Sequence, residues 1–167
     1  GITGATGCTA LNQADNASPS YQYIDLSSYM DSATDYARAN AIDPTDVNTV
    51  IDGTPDALTD VLVRDRYYDD YCGYNWWTAS AGGVIGLATC DSLSPTSRCE
   101  QHTVRYSNVW GDGASTSHRR WLSCHENGHS LGLTHRDAFD SCMTPSPLPT
   151  IVVLYSGHDI AHLNAAY

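Results

Sequence analysis

Apolar and polar residues alternate along the first two of four segments that are predicted to be strands. A period of two residues is typical of strands that have one face more buried than the other. A turn-rich connection, residues 91–98, separates the last two segments. The predicted strands span residues 21–27, 59–68, 83–90 and 102–107.

Apolar residues spaced three or four positions apart predict three helices. Serine residues precede the second and the third helix, where their side chains can cap the first turn. The proline-rich segment 145–155 lies between these two helices and is expected to be an ordered loop. The predicted helices span residues 29–40, 116–131 and 157–166.

The order of these elements predicts an α+β fold, with a mixed α/β sheet on which the helices pack. The chain has 167 residues, which suits one domain because domains commonly hold about 100 to 150 residues. Hydrophobic residues make up 41% of the chain and charged residues 16%, which argues against disorder. The apolar runs fall far short of the about 20 residues of a membrane-spanning helix, so we expect no membrane partner.

Charge excludes another class of partner. The formal net charge is −11, all eight basic residues are Arg, and only Glu100 and Glu126 among the nineteen acidic residues are Glu. A surface of this sign repels phosphate backbones, so nucleic acid is not an expected partner.

The six cysteines include no C-x-x-C pair, which argues against a zinc ribbon or a redox motif and favours three disulfides. Disulfides persist in oxidising compartments, so we expect a secreted, extracellular protein. Six reduced, buried cysteines are the alternative. Six cysteines allow fifteen pairings, among which Cys90 with Cys99 is favoured because it closes a short loop.

Three histidines and one glutamate have the spacing of a zinc site. His125 and His129 are four positions apart on the predicted helix, so both imidazoles project from one face. Gly132 can adopt the left-handed conformation that ends a helix, and His135 can then supply a third nitrogen. Three neutral imidazoles leave one position of a tetrahedral Zn²⁺ open, as in catalytic sites. Glu126 would lie beside the ion as a general base.

Chance rarely produces this spacing. The residue frequencies of the chain give a probability of roughly 0.003 for H-E-x-x-H, and the further Gly and His lower it to about one in a hundred thousand. A helix whose surface histidines happen to align is therefore the weaker interpretation.

The motif H-E-x-x-H-x-x-G-x-x-H at residues 125–135, followed by Met143, resembles the metzincin clan of zinc endopeptidases. Gly128 inside the motif makes it most similar to the matrixin group. Arg136 stands where matrixins commonly have Ser, and Cys142 before the methionine is more similar to adamalysins. The resemblance therefore indicates an unusual, matrixin-like subgroup.

The resemblance also implies the architecture around the site. It implies a twisted mixed sheet with an active-site helix, an upper subdomain of about residues 1–132 and a lower one of about 133–167. Met143 would form a tight turn beneath a single catalytic Zn²⁺, although a methionine in a proline-bounded loop is more often ordinary core. Calcium is not indicated.

An exposed edge strand at Val84 to Thr89 is expected, from the resemblance, to pair with an extended peptide substrate. The segment from Thr144 to Tyr155 would form the wall of a selectivity pocket. Leu148 and Tyr155 are the candidates in this wall, and packing in the core is an equal alternative for both. The candidate substrate-binding residues are Val84, Gly86 and Ala88 on the strand, and Leu148 and Tyr155 in the wall.

The resemblance implies a secreted, monomeric zinc endopeptidase that hydrolyses peptide bonds by means of zinc-bound water, with Glu126 as the base. The alternative is a zinc-binding module that binds or inhibits other proteins with little turnover. Glu126 favours the enzyme, because a binding site needs only the histidines.

A second disulfide would brace this site. Cys124 precedes the first histidine and Cys142 precedes Met143, so a bridge between them would brace the helix against the turn. Cys8 and Cys72 then remain for each other.

Two other groups have competing interpretations. Trp76 and Trp77, with nearby tyrosines, could form a binding platform, but aromatic residues beside strands more often belong to the core. His158 and His162 are one helical turn apart and could hold a second metal ion, but a surface role is favoured because no third ligand has a supporting spacing.

Overall fold

The computed structural model describes residues 6–8, 12–68, 70–76, 84–147 and 149–167. Within these ranges, five strands form one mixed sheet, and two short strands form a separate hairpin. The sheet contains β1 (Ser20–Tyr23), β2 (Val50–Ile51), β3 (Val61–Arg66), β6 (Gly86–Leu93) and β7 (Cys99–Ser107), and the hairpin contains β4 (Asp70–Tyr71) and β5 (Tyr74–Asn75).

The order of the strands in the sheet is β2-β1-β3-β7-β6. Strand β1 runs parallel to both β2 and β3, and β3 runs parallel to β7, whereas β6 is antiparallel to β7. The mixed sheet agrees with the predicted α+β class. Its order places β6 at an edge of the five-stranded sheet.

In the described residues, four α-helices accompany the strands: α1 (Ser28–Ala37), α2 (Asn108–Gly111), α3 (Thr116–Ser130) and α4 (Gly157–Ala166). Helix α1 continues into a π-helical turn at Arg38–Ile42, which extends past the predicted end at residue 40. Helices α1 and α3 pack against each other, and α3 also contacts β6 and β7. This packing places one face of α3 over the edge of the sheet.

The main hydrophobic cluster includes residues from Ala14 to Leu163 and joins the sheet to the helices. In the sheet, Val63, Val104 and Ala88 are aligned across β3, β7 and β6, and all three are buried. Buried residues alternate with more exposed ones along β3, as the sequence predicts.

Strand β7 is longer than predicted, and β6 has the predicted length but lies three residues further along the chain. The segment 91–98 was expected to be a connection, but β6 continues to Leu93 through an irregular register after Cys90, and β7 begins at Cys99. The disulfide between these two cysteines holds the strands together at this point. The first strand is shorter than predicted, because the chain leaves the sheet after Tyr23.

Three disulfides link Cys8 to Cys72, Cys90 to Cys99, and Cys124 to Cys142. These are the pairings expected from the sequence. Such bonds are typical of proteins in oxidising, extracellular-type environments. In the part of the chain that the structure describes, no helix has the length and apolar character needed to cross a bilayer.

Candidate metal centre

Helix α3 carries the first part of the motif and ends where the sequence predicts. Ser115 caps its first turn, and Gly132 follows its end with a positive φ of 89°. The amide of Leu133 donates to the carbonyl of Gly128 at 2.9 Å, which closes a glycine-terminated helix end. The chain reverses here and brings His135 back towards the helix.

The three predicted histidines converge. Nitrogen atoms of His125, His129 and His135 all lie within 4.8 Å of one another. The His125 Nε2 atom is 3.1 Å from His135 Nε2 and 3.2 Å from His129 Nε2. The two helical histidines are buried, whereas His135 is exposed at the cleft. A metal ion at this point would therefore be accessible from one side.

The backbone fixes which nitrogen of each helical histidine carries the proton. Nδ1 of His125 lies 2.8 Å from the carbonyl of Cys142, and Nδ1 of His129 lies 2.8 Å from the carbonyl of Leu133. A carbonyl oxygen only accepts, so each Nδ1 donates and each Nε2 presents a lone pair. Two lone pairs that face each other at 3.2 Å repel, and a cation between them turns the repulsion into coordination. The residues thus fit a metal ion.

Burial keeps these imidazoles neutral. Desolvation lowers the pKa of His125 to about 3 and the pKa of His129 to about 4, and it also lowers the pKa of His135. Neutral imidazole is the form that binds a metal ion. The site is therefore ready for a metal ion at neutral pH without prior loss of protons.

Glu126 lies against the edge strand. A Cβ atom placed on Gly86 would be only 2.5 Å from Glu126 Oε1, so the absence of a side chain on β6 makes room for the carboxyl group. Burial raises the pKa of Glu126 to about 8, and a hydrogen bond from the backbone of Ala88 opposes this rise. A nearby cation would favour the ionised form and lower this pKa.

Met143 packs beneath α3. It is fully buried, and a Cβ atom on Gly128 would lie 2.3 Å from its sulfur. Its neighbour Cys142 contributes the carbonyl that orients His125 and the disulfide that joins this loop to Cys124. The loop thereby packs against α3 and holds the ring of His125 in place.

A cleft of about 660 Å³ contains the three histidines and Glu126. Val84, Gly86 and Ala88, the strand positions at which the resemblance implies that a substrate binds, line the cleft. Pro145 and Pro147, which belong to the predicted wall segment, also line the cleft. Leu148 lies outside the described residues.

The structure corrects the prediction for Tyr155. Its side chain is buried, and its hydroxyl group donates to the carbonyl of Cys124 at 3.3 Å. It does not line the cleft. The core alternative that the sequence left open for Tyr155 is therefore the observed one.

Sequence reasoning did not single out four other residues of the cleft. Three of them could have been found from the helical period of α3, because residues three, four and seven positions before His125 lie near the same face of the helix. An additional aromatic residue comes from α2. The four residues are Trp110, His118, Trp121 and Leu122.

Other candidate metal groups are weaker. Cys90 and Cys99 lie near His102, but their disulfide removes the thiolates that bind metal ions. The rings of His158 and His162 are 4.4 Å apart. Among the described residues, no third histidine, cysteine or acid completes a metal-binding group with them.

Trp76 is the described member of the aromatic group that belongs to the core, and the tyrosines beside it are partly buried or exposed. Trp76 is buried and packs against Tyr68 with ring centroids 4.6 Å apart. Its indole nitrogen donates to the carbonyl of Tyr71 at 3.0 Å. Trp77 lies outside the described residues, and Tyr67 is largely exposed.

Comparisons with known proteins do not identify a relative. No protein-family model and no curated protein matches the chain. The functional interpretation therefore rests on the motif and on the geometry of the site.

This geometry limits the chemistry of the site. Three neutral nitrogen ligands suit a transition-metal ion such as Zn²⁺, whereas Ca²⁺ and Mg²⁺ prefer oxygen ligands. A buried carboxyl group adjoins the metal centre, and the cleft beside it is bordered by an edge strand. Such a site can bind an extended chain close to a Lewis acid and a proton acceptor.

Proposed function

We propose that this protein is a secreted, zinc-dependent endopeptidase of the metzincin type. The observation that carries the proposal is the orientation of the histidines. The backbone holds the Nε2 atoms of His125 and His129 inward, and His135 completes the set beside Glu126. The proposal also includes a monomeric state and a division of the chain into two subdomains near residue 132.

His125, His129 and His135 would hold one Zn²⁺. When bound, Zn²⁺ polarises a carbonyl oxygen and lowers the pKa of a water ligand towards ~7. The carbonyls of Cys142 and Leu133 keep the imidazoles in the orientation that this ion needs.

The edge strand would bind the substrate. The carbonyl of Ile85 accepts from the amide of Ser107 at 2.9 Å, so alternate residues of β6 bond to β7. The backbone groups of Gly86 and Ala88 therefore point away from the sheet. An extended peptide can form main-chain hydrogen bonds to such an edge, which favours binding by backbone shape rather than by one particular side chain.

Glu126 would move the proton. As the oxygen of water bonds to the scissile carbonyl carbon, the carboxylate accepts a proton from that water. It then donates the proton to the amide nitrogen as the carbon–nitrogen bond breaks. The products are a new carboxyl end and a new amine, and Glu126 returns to its ionised form.

The test is casein digestion by the metallated protein, with and without a chelator, beside the Glu126→Gln variant. We expect the variant to keep its zinc and to lose activity by at least about 100-fold, because general acid–base catalysis commonly contributes 10²- to 10⁴-fold. Glu100→Gln is the matched control, since Glu100 is the other glutamate of the chain and lies on β7. It is expected to retain wild-type activity.

Two results would contradict this proposal. A fully metallated wild-type protein that cleaves no protein or peptide would support the binding-module alternative. Unchanged activity in Glu126→Gln would remove the assigned base. Zinc content per chain, measured in both proteins, separates these results from simple loss of metal.

A further inference from the structure

The open edge of β6 is bounded at both ends. Along β6 and the two residues before it, every second residue has its backbone N–H and C=O groups directed away from β7. These residues are Val84, Gly86, Ala88 and Cys90. At one end the amide of Val84 donates to the carbonyl of Asn75 at 2.8 Å. At the other end the amide of Gly7 donates to the carbonyl of Cys90 at 2.8 Å.

The middle of the edge has no such partner. In the described part of the chain, no backbone group bonds to the outer side of Gly86 or Ala88. The backbone of Ala88 donates a hydrogen bond to the carboxyl group of Glu126. The open stretch therefore runs from Ile85 to Thr89. Five residues at about 3.3 Å each extend over about 17 Å.

Both boundaries are connected to the hairpin of β4 and β5. Its two-residue turn, Cys72 and Gly73, has positive φ at both positions, 60° and 71°, as in the type I′ turns that join tight hairpins. Cys72 forms the disulfide with Cys8, which directly follows Gly7. Asn75 belongs to β5 of the same hairpin.

The hairpin is itself anchored to the core. Trp76, directly after β5, is buried and donates from its indole nitrogen to the carbonyl of Tyr71 in β4. Its own carbonyl accepts from the hydroxyl group of Ser107, at the end of β7, at 3.2 Å. Arg105 lies over the ring of Tyr71, 4.4 Å from its centroid. The boundaries are thus held by a fixed unit of the fold.

Building on the proposed endopeptidase function, we propose that this hairpin and its Cys8–Cys72 disulfide limit strand pairing of the substrate to about five residues, opposite Ile85 to Thr89. A longer peptide has to leave the edge at Gly7 and at Asn75, where the outward backbone groups of β6 are already bonded. The substrate class is therefore a short extended segment, such as an exposed loop, rather than a long strand.

A series of peptides of increasing length tests this inference. Peptides that share one cleavage site are extended residue by residue at either end, and kcat/KM is measured for each with the zinc-loaded protein. We expect kcat/KM to rise until about five residues lie along the edge and then to change by less than about twofold. A continued rise at both ends, by about threefold or more for each added pair of hydrogen bonds, would overturn the inference.

Gly7→Pro tests the boundary directly. Proline lacks the amide hydrogen that bonds to Cys90, and its fixed φ of about −65° is incompatible with the φ of 105° at Gly7. We expect extension to raise kcat/KM by at least about threefold in this variant, at one end of the peptide only, because Asn75 still bounds the other end. A gain at neither end, or at both ends, contradicts the proposed boundary.

Two further variants control for indirect effects. Cys8→Ser combined with Cys72→Ser removes the link between the boundary and the hairpin, and it is expected to give the same one-ended gain. Gly53→Ala, at an exposed position where an added methyl group meets no atom within 4 Å, is expected to keep the wild-type length dependence. A variant enters the comparison when its circular dichroism and zinc content match the wild type.

The design separates this inference from the proposed function. Failure of the wild type to cleave any peptide overturns the endopeptidase proposal. In that case, the affinity of each peptide for the Glu126→Gln protein is measured and compared with the length of the peptide. An affinity that stops increasing at about five residues supports the bounded edge, and an affinity that keeps increasing overturns it.

Discussion

Gly86 has no side chain and so leaves the space that the carboxyl group of Glu126 occupies. A methyl group there would approach Glu126 Cγ to 2.7 Å and Oε1 to 2.5 Å, so Gly86→Ala has to displace the carboxyl group. A displacement of about 1 Å in a reacting group can lower a rate about 100-fold. We expect Gly86→Ala to lower kcat by about this factor while the zinc content stays at one ion per chain.

The control for this change is Gly113→Ala. An added methyl group at Gly113 meets no atom within 4 Å, so its kcat is expected to equal that of the wild type. Loss of zinc from Gly86→Ala would show that the methyl group disturbs the histidines instead, and it would contradict the role assigned to Gly86.

His102 gives a prediction for pH. It is buried, its Nε2 donates to the carbonyl of Asn12 at 2.9 Å, and burial lowers its pKa to about 4. Its pKa in the unfolded chain is about 6.5, so between pH 6.5 and pH 4 the unfolded chain binds a proton that the folded chain excludes. The free energy of unfolding therefore falls as the pH falls through this range, by up to about 3 kcal/mol from this residue.

His102→Gln removes this contribution. Denaturant unfolding at pH 7 and pH 4, with zinc kept constant, should show a smaller loss of stability in the variant than in the wild type. The exposed His162 provides the comparison, since His162→Gln is expected to keep the wild-type pH dependence. An equal loss of stability in His102→Gln and in the wild type would contradict the assignment.

The sequence was sufficient to predict that the three histidines converge, but not the contacts around them. The spacing of His125 and His129 follows from helical geometry, and Gly132 signals the reversal that returns His135. The contact between Gly86 and Glu126 joins residues forty positions apart in the chain and depends on how closely α3 packs on β6. Local periodicity contains no information on that distance, and for the same reason it could not decide whether Tyr155 faces the cleft or the core.

At the level of the elements, a buried polar group joins α1, α3 and β7. The hydroxyl group of Tyr106 accepts from the amide of Asn127 at 2.9 Å and lies 3.0 Å from the hydroxyl of Ser123 and 3.3 Å from that of Thr34. Tyr106→Phe leaves these buried partners with one contact fewer. We expect it to lower the free energy of unfolding by about 1 to 3 kcal/mol, measured by denaturant titration.

Tyr36→Phe serves as the comparison on the surface of α1. The ring of Tyr36 is only half-buried and stacks with Arg120, and this stacking does not require the hydroxyl group. We expect a change of less than about 0.5 kcal/mol. Equal effects of the two substitutions would show that the buried hydrogen bonds contribute little to the packing of α3.

The long elements were predictable and the short ones were not. Ser115 and Ser156 directly precede helices α3 and α4, and their side chains accept hydrogen bonds from the first turn as the sequence predicts. Strands β2, β4 and β5 have two residues each, too few for any period to appear. Their existence depends on neighbours that are distant in the chain, such as the parallel pairing of β2 with β1.

On the scale of the whole molecule, the disulfides differ in what they connect. The Cys90–Cys99 bond joins neighbouring strands within the sheet, whereas the Cys124–Cys142 bond joins α3 to the loop of Met143. Both sides of the second bond contribute to the metal centre, because the carbonyl of Cys142 orients His125. Loss of this bond should therefore weaken both the fold and the binding of zinc.

Replacing Cys124 and Cys142 together by Ser tests this coupling. The bond joins residues 18 positions apart, and cross-linking a loop of this size commonly stabilises a protein by about 3 kcal/mol. Because zinc bound only to the folded state adds stability by mass action, chelation should lower the Tm of the wild type. It should lower the Tm of the double variant by less, since the variant binds zinc more weakly. The matched variant, in which Cys90 and Cys99 are both replaced by Ser, is expected to lose stability but to keep the wild-type change in Tm on chelation. Equal changes in Tm in all three proteins would show that the Cys124–Cys142 bond does not support zinc binding.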